Sequence, residues 1–192
     1  MSADKVLEFW LRQTPPEKWY AQDHQLDAQI KGRFETAWHD LMAGRLDDWL
    51  THAESTLAYV ILADQFPRNM FRNQAKGFSS DALALAAAKN AINNDWDLLT
   101  EEPGRQFFYL PLMHSENLAD QDTCCRLIRE RIHQKDSTNL VHAQAHREII
   151  RLLGRFPERN QALVRPSTQK EKEHIQQGGY AAVLQQQMAA PE

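Results

Sequence analysis

Residues 57–72 read LAYVILADQFPRNMFR, and this stretch decides the fold. Tyr59, Val60, Ile61, Leu62 and Ala63 are apolar at every position. A helix built from them is therefore apolar nearly all round and belongs between neighbours, with no face left for solvent. Its polar ending, Asp64-Gln65-Phe66-Pro67-Arg68-Asn69, has a counterpart further on. A second apolar helix stops in Gly154-Arg155-Phe156-Pro157-Glu158-Arg159-Asn160. A carboxylate at Asp64 would lie among unsatisfied carbonyls at the negative end of a helix dipole, so it calls for a cation. Arg68 is one candidate, and the Arg155–Asn160 phrase supplies others.

Outward from this core the chain reads as helices. No segment alternates apolar and polar residues long enough for a strand, and only seven of the 192 residues are glycine. Asp4 is positioned to cap a first helix that ends at Thr14-Pro15-Pro16. Asp23 is positioned to cap a long helix with Leu26, Ile30, Phe34, Ala37, Trp38 and Leu41 on one face. Ser80 is expected to cap an alanine-rich helix from Asp81 to about Asn93. A helix from Glu101-Glu102-Pro103 is kinked or ended by Pro111, and another runs from Leu118 to about Gln134. Asp136-Ser137-Thr138 caps the next helix, which Gly154 stops, and Thr168 with Glu171 forms a capping box for a last one. The fold class is all-α, with antiparallel helix pairs in a tetratricopeptide-like superhelix and a globular bundle as the alternative. One domain over residues 1–180 accounts for the hydrophobic content of 42%. The Gln/Ala-rich residues 181–192 make a tail, either partly disordered or helical.

Several classes of function are disfavoured. A formal charge of −4 provides no basic field for nucleic acid. The longest apolar run, residues 57–63, is too short to cross a bilayer, and no secretory leader is visible. Adjacent Cys124 and Cys125 suit buried thiols and neither a disulfide framework nor a zinc pair. These features describe a cytoplasmic protein. His142 and His146 have helical i,i+4 spacing, but HAQAH lacks the glutamate of HExxH and a third ligand, so no metal or other cofactor is expected.

The phrases VLEFW, LADQFPRNMFR, FYLPLMHSENLADQ, HREII and GRFPERN, in this order, resemble the bacterial "domain of unknown function 924" family from about Val6 to Gly178. The resemblance implies an all-helical, tetratricopeptide-like fold and no assigned activity. Family members commonly carry His where this chain has Glu158, which removes an imidazole from the second Phe-Pro phrase.

The polar residues at helix ends define the candidate site. Arg68, Arg155 and Arg159 offer planar forks for a carboxylate or phosphate, with Asp64, Gln65, Asn69 and Asn160 beside them. The expected partner is a small anionic molecule or a peptide, bound in a groove lined by the two Phe-Pro phrases. Alternatively, His114 or His146 with Glu116 supplies acid–base chemistry for a hydrolase. In a third reading the arginines pair internally with Asp64, Glu116 and Glu158, and the protein is structural or an adaptor.

Overall fold

A computed structural model describes residues 1–133 and 138–189. All regular structure among them is helical, and no helix is long and apolar enough to cross a membrane. Backbone contacts divide the chain into two compact units, Met1–Pro111 and Leu112–Glu192.

In the first unit, α1 (Ala3–Leu7) widens into a π-helical segment, Glu8–Gln13. Ser2 takes the N-cap position, so Asp4 sits inside the first turn of the helix it was expected to cap. α2 (His24–Met42) is capped by Asp23, which accepts from the Gln25 and Leu26 amides, and it buries the predicted face from Leu26 to Leu41. α3 (Ala53–Val60) passes through a π-helical turn, Ile61–Gln65, into α4 (Phe66–Met70) without a break. Residues 56–67 are all buried, as a helix apolar on every side requires.

The expected helix stop at Gln65 is corrected by this continuity. The π turn pairs the Phe66 amide with the Ile61 carbonyl, so Pro67 falls in the first turn of α4, where a missing N–H is tolerated. Proline still deprives the carbonyl of residue 63 of its α-helical donor. Ser80 replaces that donor: its hydroxyl gives a 2.6 Å hydrogen bond to the Ala63 carbonyl and accepts one from the Trp38 indole at 3.0 Å. Ser80 therefore occupies the N-cap position of α5 (Asp81–Asn93) without capping it through its side chain. Ala84, Ala88 and Ala91 of α5 are fully buried and allow close approach to α3. The helix expected from Glu101 is only a 3-10 turn, Gly104–Phe108, ahead of fully buried Tyr109. Phe9, Trp10, Trp19, Phe34, Phe66 and Phe107 form one ring cluster, with Phe34 and Phe66 centroids 4.7 Å apart. Tyr20, adjacent to buried Trp19, is 60% exposed.

The turn α6 (Leu110–Met113) carries the chain from one unit into the other. α7 (Leu118–Arg131) starts at Asn117, whose side chain accepts from the Ala119 amide, and it ends before the expected Gln134. α8 (Asn139–Leu153) ends at Gly154 in the left-handed region, φ 75°, as a glycine C-cap predicts. The cap read at Asp136-Ser137 lies outside the described residues. α9 (Gln169–Gln176) carries the Thr168–Glu171 capping box. Gly179–Ala189 forms α10, packed on α8 around Ala145, Ile149, Phe156 and Val183.

Candidate functional site

The four residues of the first phrase lie in the first unit. Asp64, 1% exposed in the π turn, accepts from Gln65 Nε2 at 2.5 Å and from Arg68 Nη2 at 3.2 Å. Arg68 is the i+4 neighbour of Asp64, so helical continuation through Pro67 is what brings the predicted cation to this carboxylate. The same Nη2 donates to Asp81 Oδ1 at 2.9 Å, and the guanidinium lies 5.5 Å from the Phe78 ring centre. Its buried Nε has no hydrogen-bond partner. Asn69 donates to Asp27 at 2.8 Å, and Asp27 in turn takes Nε and Nη2 of Arg72 at 2.5 and 2.8 Å. Arg68 and Arg72 line a cleft of about 250 Å³ together with Phe71, Asn73, Gly77 and Phe78. The bonds of each arginine leave its Nη1 without a protein acceptor among the described residues.

The remaining candidates lie in the second unit, where most belong to a closed network. Arg155 grips Glu171 with Nε and Nη2 at 2.5 and 2.9 Å and also donates to the Pro166 carbonyl. Those bonds, with the Thr168 amide, hold the buried Glu171 carboxyl at a pKa of about 2. Asn160 donates to Ser167 and accepts from Arg165 Nε at 3.0 Å. Arg165 then clamps both oxygens of Glu116 at 2.6 and 2.9 Å. Burial pushes the Glu116 pKa up, but Arg165 and the Phe156 amide outweigh it, and the net shift is downward. Glu116 is thus committed to Arg165 and is not the orienting partner expected for His114. Arg155 and Asn160 are likewise occupied inside the fold, by Glu171 and Arg165 and not by the Asp64, Glu116 or Glu158 named for internal pairing.

His114 and His146 do meet, with ring centres 6.3 Å apart. His146 packs against Phe156 and Tyr180 at 5.4 and 4.9 Å. Its Nδ1 lies 2.8 Å from the His142 carbonyl, which can only accept, so Nδ1 carries the proton and Nε2 the lone pair. Burial drives the His146 pKa down to about 3, and the imidazole is neutral at physiological pH. Arg159 donates to the His114 carbonyl and lies over the Phe156 ring at 4.6 Å. His142 and Tyr180 form a 2.5 Å hydrogen bond through Nδ1 and the phenol. Glu158, at the position where the family resemblance implies His, accepts from the Tyr180 amide and lies 3.6 Å from His174 Nε2. Among the described residues no group of three or more His, Cys, Asp or Glu is placed to hold a metal ion.

Val164, just before Arg165, has φ 52° and is 90% exposed. A β-branched residue in the left-handed region costs about 1–2 kcal/mol, and glycine returns about 0.5–1 kcal/mol of that as unfolded-chain entropy. Val164→Gly is therefore expected to stabilise the protein by about 0.5–1 kcal/mol in urea denaturation. An unchanged or lowered midpoint would count against strain at this turn.

Reading the sequence missed Asp27, Asp81, Arg165 and Tyr180, which engage Asn69, Arg68, Glu116 and His146, and it missed Arg72, which engages Asp27. The only signal available was the arginines' general need for carboxylates, which names no pairs.

The family model described as "Bacterial protein of unknown function (DUF924)" matches residues 6–179. The solved structure of a protein of unknown function, ATU0120 from Agrobacterium tumefaciens, is similar at 38% identity and a TM-score of 0.85, over 92% of this chain and 97% of that one. No curated protein matches.

Proposed function

The chain belongs to this family of bacterial proteins of unknown function, and on that premise we propose that it binds a small carboxylate or phosphate in the cleft lined by Arg68 and Arg72. The observation that carries the proposal is the unspent Nη1 of each arginine. Asp64 and Asp81 hold Nη2 of Arg68, and Asp27 holds Nε and Nη2 of Arg72. Forks fixed in this way lose little freedom when a ligand arrives, and they match the planar geometry of a carboxylate or phosphate face. Three aspartates beside two arginines leave the cluster short of positive charge, so selectivity rests on hydrogen-bond geometry and the confined volume of about 250 Å³. A compact anion fits this space. The buried cysteines, which are not joined in a disulfide, accord with a cytoplasmic setting for such a receptor.

The test is thermal unfolding with inorganic phosphate and with malonate, on wild type and Arg72→Lys. Lysine keeps a charge for Asp27 but lacks the second edge of the fork. At a hundredfold excess over the dissociation constant, a ligand selective for the folded state adds about 2.7 kcal/mol. In a chain of this size that raises Tm by roughly 5–10 °C. Wild type should show the rise and Arg72→Lys should lose most of it. No rise with either anion, or equal rises in both proteins, rejects the reading.

A second, catalytic reading draws support from His146, whose fixed tautomer presents Nε2 as a proton acceptor near His114. A hydrolase screen in which His146→Gln abolishes any activity found, while leaving Tm in place, is its test.

A further inference from the structure

We infer that the face between α1 and α2 is a docking cleft for an extended peptide segment carrying one acidic side chain, which Arg33 receives. The inference is independent of the Arg68–Arg72 cleft. Two cavities in the first unit, about 650 and 310 Å³, share Phe9, Gln13 and Arg33 in their walls. Arg33 is exposed on α2, and its guanidinium lies 5.1 Å from the Phe9 ring centre. It makes no hydrogen bond or ion pair among the described residues, unlike Arg12, which is tied to Glu8, and Lys18, which is tied to Asp23. Stacking on the ring holds the guanidinium plane and leaves its N–H edge available to an incoming carboxylate.

The position of Arg33 defines the class of ligand. An anion receptor at the junction of two cavities suits a ligand whose negative group is central and whose chain continues both ways. An aspartate or glutamate within a peptide has this form, whereas a terminal phosphate or a small organic acid would fill one side only. Gln25 and Gln29 line the smaller cavity, and each side-chain amide offers the donor and acceptor that an extended peptide backbone needs. Asp4, Glu8, Asp23 and Glu54 balance Lys5, Arg12, Lys18 and Arg33 around the two cavities, so the lining has no net basic field to draw in a polyanion. The combined space falls within the range that holds a few residues of chain.

The experiment probes the full chain against an array of acetylated, amidated eight-residue peptides with randomised flanks and each residue type in turn at the fourth position. Peptides with Asp or Glu there should bind wild type about tenfold or more above those with Asn, Gln or Lys, as expected for one charge-assisted hydrogen-bonded contact. Arg33→Glu should shift the preference to Lys and Arg, and Arg33→Gln should abolish it. Arg33 is solvent-exposed in mid-helix, and unchanged helical circular dichroism verifies both variants. A reversal of preference cannot arise from simple loss of structure. Absence of binding, no dependence on the central residue, or the same preference in Arg33→Glu overturns the inference. None of these outcomes bears on anion binding at Arg72.

Discussion

Replacing Arg68 with alanine is expected to destabilise the protein by about 3–5 kcal/mol, because it strands a buried carboxylate without its cation. Asp64 is 1% exposed and also accepts from the neutral amide of Gln65. Asp81 loses a partner in the same step. The comparison that isolates the ion pair is the double variant Asp64→Asn, Arg68→Met, which removes both charges and retains much of the volume. It should recover a large part of the loss, since the penalty lies in the uncompensated charge more than in the missing attraction. Urea denaturation of the two single variants and the double variant gives the coupling directly. Additive effects would show that Asp64 and Arg68 act separately and that helical continuation through Pro67 serves another purpose.

The second large effect concerns pH. Burial lowers the folded-state pKa of His146 to about 3 from its ordinary 6.5, so between these values the unfolded chain binds a proton that the folded chain does not. Stability from this residue is therefore fully present above pH 6.5 and declines as pH falls toward 3, by up to about 1.4 kcal/mol per pH unit. Burial lowers the His142 pKa as well, in the same sense. Between pH 7 and pH 4.5 wild type should lose about 2–3 kcal/mol that His146→Gln does not lose. Parallel pH profiles for the two proteins would show that His146 accepts its proton without disturbing the packing of Phe156 and Tyr180.

Both effects arise where the chain brings together groups that local pattern describes only in part. Asp64 illustrates the boundary. Its need for a cation follows from a carboxylate placed in an apolar helix, and that was legible. The identity of the cation was not, because it turned on whether the helix survives Pro67. A π turn carries it past the proline, and Ser80, thirteen residues beyond, supplies the hydrogen bond that proline removes. The capping box at Thr168–Glu171, the Asp23 cap and the apolar face of α2 were readable because each depends on neighbours within a turn of helix. The Glu116–Arg165 and Arg155–Glu171 clamps were not, since they join residues 49 and 16 positions apart.

By itself the sequence determined that this protein is all-helical, which face α2 buries, that Tyr59–Ala63 is buried all round, and that Asp64 calls for a cation. Those properties follow from hydrophobic periodicity, capping and charge, all of which act over a few residues. Only the tertiary structure decided which arginines are spent on internal ion pairs and which retain donors. Arg155 is consumed by Glu171, while Arg72 keeps one edge and Arg33 its whole fork. That allocation depends on distances across loops and between helices, where a displacement of a few ångströms makes or breaks a hydrogen bond and leaves no trace in local pattern.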